Sequence, residues 1–269
     1  MPSETSYNPA EELDSVFPVA HKVPEFTSVE EHRKWLLEQM AGAFRVFARK
    51  GYCVGSAGHI SVRDPGDPNT FWLNPLGRHF GTLKASDMVQ VDHEGNVIGG
   101  SGLPVNKAGF KIHGALHLAR PDVHAACHTH SVHGKAYSAF GKPLQMINQD
   151  ACAFYNNHSV YHNFGGIVLT DDEGEHIAKA LGNNSGVILQ NHGLLTVGST
   201  PGEAAGFFIA MEDACHAQLL VDASKHEPKI ISDEAAAYTY KATVYPGAYY
   251  AEFVNDLEWE EYNDPSFKN

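Results

Sequence analysis

The sequence predicts a single α/β domain in which helices flank a central, mainly antiparallel β-sheet. Amphipathic helical segments are interspersed with short apolar runs of strand length. Between residues 28 and 230 there is no linker-like shift in composition and no internal repeat. The chain has 269 residues and is 43% hydrophobic, which is enough for one sizeable core. We therefore place the domain at residues 28–230, between an N-terminal arm at 1–27 and a C-terminal tail at 231–269. The tail is expected to pack on the domain or on a neighbouring chain.

Helix-start and turn signals define the first half of the domain. Ser28 and Glu31 form a capping box, which opens an amphipathic helix that is expected to run through Arg49 and end at Gly51. Four short runs of strand character follow, separated by turn signals, and they predict an antiparallel meander. These runs are residues 59–62, 70–73, 88–91 and 97–98.

The second half alternates helices and strands. A helical pattern covers residues 108–119 and precedes a strand at 123–129. A short helix at 174–181 leads into an apolar strand at 186–190. Thr200 then opens a long helix to about Lys225, with a second capping box and a proline at the first helical position.

The charge balance bears on which partners the protein binds. Lys and Arg number 19 against 32 Asp and Glu, and the net charge of -13 opposes attraction to nucleic acid or to an anionic membrane. There is no basic segment followed by an apolar one at the N-terminus, and no apolar run reaches the ~18 residues of a transmembrane helix. We therefore expect a cytoplasmic protein that binds neither nucleic acid nor membrane. The four cysteines lack CxxC spacing, which predicts reduced thiols.

Three of the 17 histidines stand in a pattern that predicts a metal site. His128 and His130 are two residues apart on a predicted strand, so both imidazoles point to the same face. His192 follows an apolar strand, and Gly193 beside it permits tight backbone geometry. Three neutral imidazoles leave open coordination positions, as catalytic metal sites do. Such an ion can polarise a carbonyl oxygen and stabilise developing enediolate charge.

Four segments in order resemble the class II aldolase/adducin family. They are SAGHISVR at 56–63, ARPD at 119–122, HTHS at 128–131 and QNHGL at 190–194, against the family pattern SAGNxSxR, ARPD, HTHS and QNHG. The resemblance covers about residues 30–225 and implies a class II aldolase-like fold. It also implies that His128, His130 and His192 bind a divalent transition metal. We expect zinc first, with iron, manganese, cobalt and nickel as alternatives.

The sequence departs from the sugar-phosphate members of this family at the substrate site. Gly109 stands where those members carry an acid/base glutamate, and His59 replaces the asparagine of SAGN. Lys107 and Ala108 replace a pair of serines, so we do not expect a sugar phosphate as substrate. His59, Gly109, Lys107 and Arg78 are the predicted substrate-binding residues, and their basic side chains are candidates to hold a carboxylate.

Other residues are candidates to supply the missing proton transfer. Asp150 and Tyr155 fall near the region from which aldolase members supply a tyrosine to an adjacent subunit. Together with His59 they are the predicted catalytic residues, although Asp150 is also placed to cap the following turn. His113 either faces the metal or anchors its helix through a hydrogen bond.

These features support three hypotheses. The leading one is a metal-dependent lyase of the aldolase or decarboxylase type, which acts on a small carbonyl or carboxylate compound. The others are a non-heme iron oxygenase or oxidative decarboxylase with the same three histidines, and an adducin-like interaction module without turnover. The resemblance also implies a homo-oligomer, namely a tetramer like the family's four-fold ring, with sites at subunit interfaces.

Overall fold

The computed structural model describes residues 21–164, 166 and 171–269. Most of the predicted N-terminal arm, residues 1–20, lies outside the described residues. The helices are α1 (Val29–Arg49), α2 (Lys107–Ala119), α3 (Val132–Ser138), α4 (Asp171–Leu181), α5 (Pro201–Asp222), α6 (Asp233–Thr243) and α7 (Ala248–Asn263). The strands are β1 (His59–Arg63), β2 (Phe71–Leu73), β3 (Val89–Val91), β4 (Val97–Gly100), β5 (Ala125–Thr129), β6 (His158–Tyr161), β7 (Gly186–Leu189) and β8 (Gly193–Gly198). Short 3-10 turns lie at Phe80–Thr82, Ala85–Asp87, Asp150–Phe154 and Pro265–Lys268.

The described strands form one sheet in the order β4-β3-β2-β1-β5-β8-β7-β6. Every neighbouring pair is antiparallel except β6 and β7, which are parallel. The predicted meander is confirmed, because β1 to β4 lie side by side in chain order. The prediction of one α/β domain with a mainly antiparallel sheet is also confirmed, and the sheet contains two strands, β6 and β8, that we did not predict.

The ends of the long helices follow the predicted caps with one difference. The Ser28 hydroxyl accepts from the Glu31 amide at 3.1 Å, but the Glu31 carboxylate accepts from Thr27 rather than from Ser28. The same arrangement opens α5, where the Thr200 hydroxyl accepts from Glu203 at 3.0 Å. Helix α5 ends at Asp222, slightly before the predicted Lys225.

The C-terminal tail packs on the domain and completes its core. Helices α6 and α7 were not predicted, yet Phe253 and Phe267 are 1% and 0% exposed and lie in the core cluster with residues of α1 and α5. Tyr249 stacks on Phe207 of α5 at 4.1 Å between ring centroids. Burial of these apolar and aromatic side chains explains why the acidic tail folds against α1 and α5.

The two faces of the sheet carry different helices. Alternation along β5 places Cys127 in the core cluster with α1 and α5, and Ala126 in the cluster with α2 and α4. His128 shares the face of Ala126, so it points to the same side as α2. Cys53, Cys127, Cys152 and Cys215 are all free thiols, and the last three are buried. Among the described helices, none is long and apolar enough to cross a membrane.

Candidate metal centre

The three predicted ligands meet where β5 ends beside a hairpin turn. Strands β7 and β8 pair so that Leu189 faces Gly193, and the loop between them carries His192. Asn191 within this loop has a φ of 59°, a left-handed conformation that asparagine tolerates. Strand β8 also pairs with β5, so the hairpin turn lies beside His128 and His130.

The ring geometry brings the three imidazoles together. The ring centroids of His128 and His192 are 4.7 Å apart, those of His130 and His192 are 4.9 Å apart, and those of His128 and His130 are 5.2 Å apart. One nitrogen from each ring lies within 4.8 Å of the other two. Neutral imidazole nitrogens are common ligands for zinc and iron, so this donor set fits a divalent transition metal.

The surroundings keep the three rings neutral. The Leu194 carbonyl accepts a hydrogen bond from His128 Nδ1 at 2.7 Å, which leaves Nε2 of that ring unprotonated and free to bind a metal. Burial lowers the pKa of His128 well below its usual range and lowers the pKa of His192 to about 4. Burial and the nearby Lys135 ammonium lower the pKa of His130. All three are therefore in the state that metal binding requires at neutral pH.

The histidine cluster lies in the wall of a cavity of about 470 Å³. The N-terminal turn of α2, the loop before β1, the end of β5 and the hairpin turn all contribute to its lining. Of the predicted substrate-binding residues, His59 and Gly109 line this cavity. A Cβ atom placed on Gly109 would lie 2.3 Å from His59 Nε2, so the imidazole fills the space that any larger side chain at 109 would enter.

Two predicted anion-binding residues lie outside the lining, and one cation that we did not predict is part of it. Lys107 is exposed at the start of α2, with its Nζ 3.4 Å from Asn96 Oδ1. Arg78 is exposed on the loop after β2. Lys135 of α3 does line the cavity. The sequence could have indicated Lys135, because it follows the HTHS segment by about one helical turn. It was missed because α3 was not predicted.

Asp150 and Tyr155 do not reach the cavity of their own chain. Asp150 is exposed at the start of its 3-10 turn and lines a separate cleft with residues of α5 and α7. Tyr155 is half-buried against the main core cluster. The turn is capped by Asn148, whose side-chain oxygen accepts from the Ala151 amide at 2.8 Å, rather than by Asp150.

A chain of buried hydrogen bonds leads away from the cavity behind His59. His59 Nδ1 lies 2.7 Å from His113 Nε2, and His113 Nδ1 lies 2.6 Å from the Ser61 hydroxyl. That hydroxyl is also 2.8 Å from His117 Nε2, and His117 Nδ1 donates to the Val123 carbonyl at 3.1 Å. The geometry therefore favours the anchoring alternative for His113, whose two ring nitrogens are both used in hydrogen bonds.

Comparison with known proteins places this chain in a family. Residues 38–219 match the model of the "Class II Aldolase and Adducin N-terminal domain". The chain is 43% identical over 217 residues to "Decarboxylase NovR" of Streptomyces niveus, covering 80% of each chain. It is also 43% identical to a "4-hydroxy-3-prenylphenylpyruvate oxygenase/4-hydroxy-3-prenylbenzoate synthase" of Streptomyces roseochromogenus, covering 75% of this chain and 73% of the relative.

The fold also matches solved structures of proteins with similar sequences. A structure of an "L-fuculose 1-phosphate aldolase from Glaciozyma antarctica" has a TM-score of 0.86 and 40% sequence identity, covering 92% of this chain and 97% of the other. The resemblance that the four sequence motifs indicated is thus confirmed. This chain belongs to the class II aldolase and adducin family.

Proposed function

We propose that the protein is a metal-dependent carbon–carbon lyase of the aldolase or decarboxylase type, acting on a small, unphosphorylated carbonyl or carboxylate compound. The observation that carries this proposal is the convergence of three neutral imidazoles, His128, His130 and His192, in the wall of a cavity of about 470 Å³. A divalent ion held there supplies a Lewis acid for a carbonyl or carboxylate oxygen. The cavity has the size of a small-molecule site.

The residues of the chain have separable roles in this proposal. The Lys135 ammonium is the cation in the lining that can pair with a substrate carboxylate. His59 lies beside the cluster, with its ring centroid 5.1 Å from that of His128, and is the nearest candidate for proton transfer. Lys107 follows Asn106, a lining residue, and would contact only a substrate that extends past the cavity rim.

The departures from the sugar-phosphate pattern support an unphosphorylated substrate. The serine pair and the glutamate of that pattern are replaced by Lys107, Ala108 and Gly109, and the imidazole of His59 fills the space next to Gly109. The relative from Streptomyces niveus is named a decarboxylase, which supports carbon–carbon cleavage beside a carboxylate. The solved structure named as a sugar-phosphate aldolase favours a second candidate, aldol cleavage of a sugar phosphate.

A third candidate is oxidative chemistry at the same site. It is favoured by the Streptomyces roseochromogenus relative, which is named an oxygenase, and by the suitability of imidazole ligands for Fe(II). A module without turnover is disfavoured because the structure brings His128, His130 and His192 together in a cavity, and an interaction surface has no chemical need for that arrangement.

One panel assay separates these functions. Protein loaded with zinc or Fe(II) is incubated with 2-oxo acids, 2-hydroxy acids and sugar phosphates, while carbon dioxide, aldehyde products and oxygen uptake are measured. We expect cleavage of carboxylate compounds without oxygen uptake, and loss of that activity in His128→Ala. Efficient cleavage of a sugar phosphate would move the assignment to a sugar-phosphate aldolase, and oxygen-dependent turnover would move it to an oxygenase.

A further inference from the structure

The chain of hydrogen bonds behind His59 is closed to water and ends on a group that can only accept. His113, His117 and Ser61 are at most 1% exposed, and His59 is 6% exposed. The far end is the Val123 carbonyl, which also receives the Arg63 guanidinium at 3.3 Å. A buried polar chain of this kind must satisfy its members internally, because no solvent can supply a missing partner.

The carbonyl at the far end sets the direction of every bond in the chain. Because a carbonyl can only accept, His117 must carry its proton on Nδ1, and its Nε2 must accept from the Ser61 hydroxyl. Since that hydroxyl proton is used toward His117, the Ser61 oxygen accepts from His113 Nδ1. A neutral His113 then has a bare Nε2, which accepts from His59 Nδ1. The opposite direction would place the bare Nδ1 of His117 against the carbonyl oxygen.

We infer that His113, Ser61 and His117 act as positioning residues that lock His59 as its Nδ1–H tautomer, with the bare Nε2 facing the cavity as a hydrogen-bond acceptor. In the part of the chain that is described, this nitrogen has no hydrogen-bond partner. It lies beside Gly109, which lacks a side chain, and the His59 side chain is part of the cavity lining. The fixed tautomer makes this wall of the cavity accept protons and not donate them.

This tautomer specifies the chemistry of what binds next to the histidine cluster. A bare nitrogen repels a carboxylate oxygen, so anion binding falls to Lys135 and His59 instead receives an O–H or N–H group. If the cavity is the substrate site, as proposed above, the substrate carries a donor such as a hydroxyl close to the carbonyl or carboxylate. A 2-hydroxy acid has this arrangement. Burial supports the neutral state of the chain, because it holds the pKa of His59 and His113 well below their usual range and that of His117 at about 3.

The tautomer is read directly by nitrogen NMR, without any assay of activity. The full-length, zinc-loaded protein is labelled with ¹⁵N-histidine at neutral pH, and the His59 signals are assigned by their loss in His59→Gln. Protonated and bare ring nitrogens resonate far apart, so wild type should show a protonated Nδ1 and a bare Nε2 at His59. In Ser61→Ala the link to the carbonyl is cut, and His59 should show both tautomers. Ser138→Ala, which removes another buried serine hydroxyl, should leave the His59 signals unchanged.

Two results would overturn the inference. A protonated Nε2 at His59 in the wild type would show that the hydrogen bonds of the chain have the opposite direction. Unchanged His59 nitrogen signals in Ser61→Ala would show that the Val123 carbonyl does not determine the tautomer of His59. If Ser61→Ala does not fold, neutron diffraction from deuterated wild-type crystals shows the same hydrogen positions. The tautomer result is independent of turnover, so it can fail while the proposed function stands.

Two small carboxylates test whether a bound compound must donate a hydrogen bond to His59 Nε2. Glycolate and methoxyacetate share a carboxylate and an adjacent oxygen, but only glycolate can donate a proton from that oxygen. Added to the zinc-loaded protein, glycolate should shift the His59 Nε2 resonance and methoxyacetate should not. Equal shifts, or no shift with either compound, would overturn the requirement for a donor.

Discussion

At the scale of single residues, the substrate side of the site depends on two positions: Gly109 of α2, which has no side chain, and His59 of β1, whose ring lies beside it. Position 109 carries no side chain, and the His59 ring from β1 fills the space beside it. The register of the sheet places His59 directly opposite His128, so the imidazole arrives next to the proposed ligands. Gly109 therefore has two effects: the glutamate of the sugar-phosphate pattern is absent, and the space beside this position holds the His59 imidazole instead.

Gly109→Ala tests whether the reaction needs the His59 ring in the space beside position 109. The added methyl group would lie 2.3 Å from His59 Nε2, and the ring cannot move freely because it is 6% exposed and bonded to His113 at 2.7 Å. Loss of that buried hydrogen bond costs about 1–3 kcal/mol, so we expect activity to fall about tenfold or more while metal content is unchanged. Steady-state kinetics and elemental analysis measure the two effects.

Gly114→Ala is the matched control, because it adds the same methyl group to the same helix. There the methyl group would meet Phe110 at 3.4 Å, an ordinary van der Waals distance. Its activity should stay close to that of the wild type. Full activity in Gly109→Ala would mean that the position of the His59 ring is unimportant for the reaction.

At the scale of elements, a buried carboxylate on α5 holds the segment that follows the HTH pair. Glu212 is 1% exposed and accepts from the Ser131 hydroxyl at 2.5 Å and from the amides of His133 and Gly134 at 2.9 and 2.6 Å. These amides belong to the first turn of α3, where a negative charge is favourable. Glu212 thereby fixes the helix that carries Lys135 into the cavity.

Glu212→Gln should destabilise this arrangement. The amide group would turn a donor toward backbone N–H groups that now meet an acceptor, and charge-assisted hydrogen bonds would be lost. We expect the free energy of unfolding to fall by about 1–3 kcal/mol in urea denaturation. Asp213→Asn makes the same charge change at the next, exposed position and should have a smaller effect. Equal midpoints for the two variants would show that Glu212 does not stabilise α3.

The elements that the sequence predicted are those with strong local signals. The capping-box sequence patterns at Ser28 and Thr200 indicate where the long helices begin, and both hydroxyls do cap those helices. Turn residues separate the meander strands. Strand β8 was missed because the left-handed turn at Asn191 reverses the chain within three residues, where the sequence shows only the end of an apolar run. Helix α7 was missed because it begins after Gly247 without a side-chain cap, and its packing against α5 stabilises it.

The same distinction applies to the site. His128, His130 and His192 were predictable because a strand spacing and a short motif are local features, and the structure brings them together. The chain through Ser61 and His117 was not, because it depends on docking α2 against β1. Residues 61 and 117 are 56 positions apart, and neither has a local pattern that indicates its partner.

At the scale of the whole molecule, the predicted roles of Asp150 and Tyr155 require a second chain. Asp150 lines a different cleft in its own chain, so it can act on the reaction only at a neighbour's cavity. Helix α7 offers surface for a neighbour, since Trp259 and Tyr262 stack at 5.8 Å and are 57% and 82% exposed. Exposed aromatic side chains are enriched at protein interfaces. These features support the proposal of a homo-oligomer, for which the family resemblance implies a tetramer.

Mixing two inactive variants tests a shared site. His128→Ala removes a proposed metal ligand and Asp150→Asn removes the proposed acid/base, so each variant alone should have little activity. If the two groups meet across an interface, co-expressed subunits should regain about a quarter of wild-type activity, since half of each contribution is intact. Co-expressed Asp150→Asn and Tyr155→Phe should regain no activity if both residues come from the same neighbouring chain, because every chain in that mixture lacks one of the two.

Two observations would contradict the shared site. One is a fully active monomer in sedimentation at assay concentration. The other is verified mixed oligomers of His128→Ala and Asp150→Asn that regain no activity. Either result would remove Asp150 and Tyr155 from the catalytic residues and leave proton transfer to His59.

The measurement that tests the central claim most directly is the metal content of single-histidine variants. The account predicts about one divalent transition metal ion per wild-type chain, and almost none in His128→Ala, His130→Ala or His192→Ala. His226→Ala, at an exposed histidine outside the cavity, should match the wild type. Elemental analysis that found the same metal content in His128→Ala as in the wild type would contradict the metal centre and the lyase mechanism that depends on it.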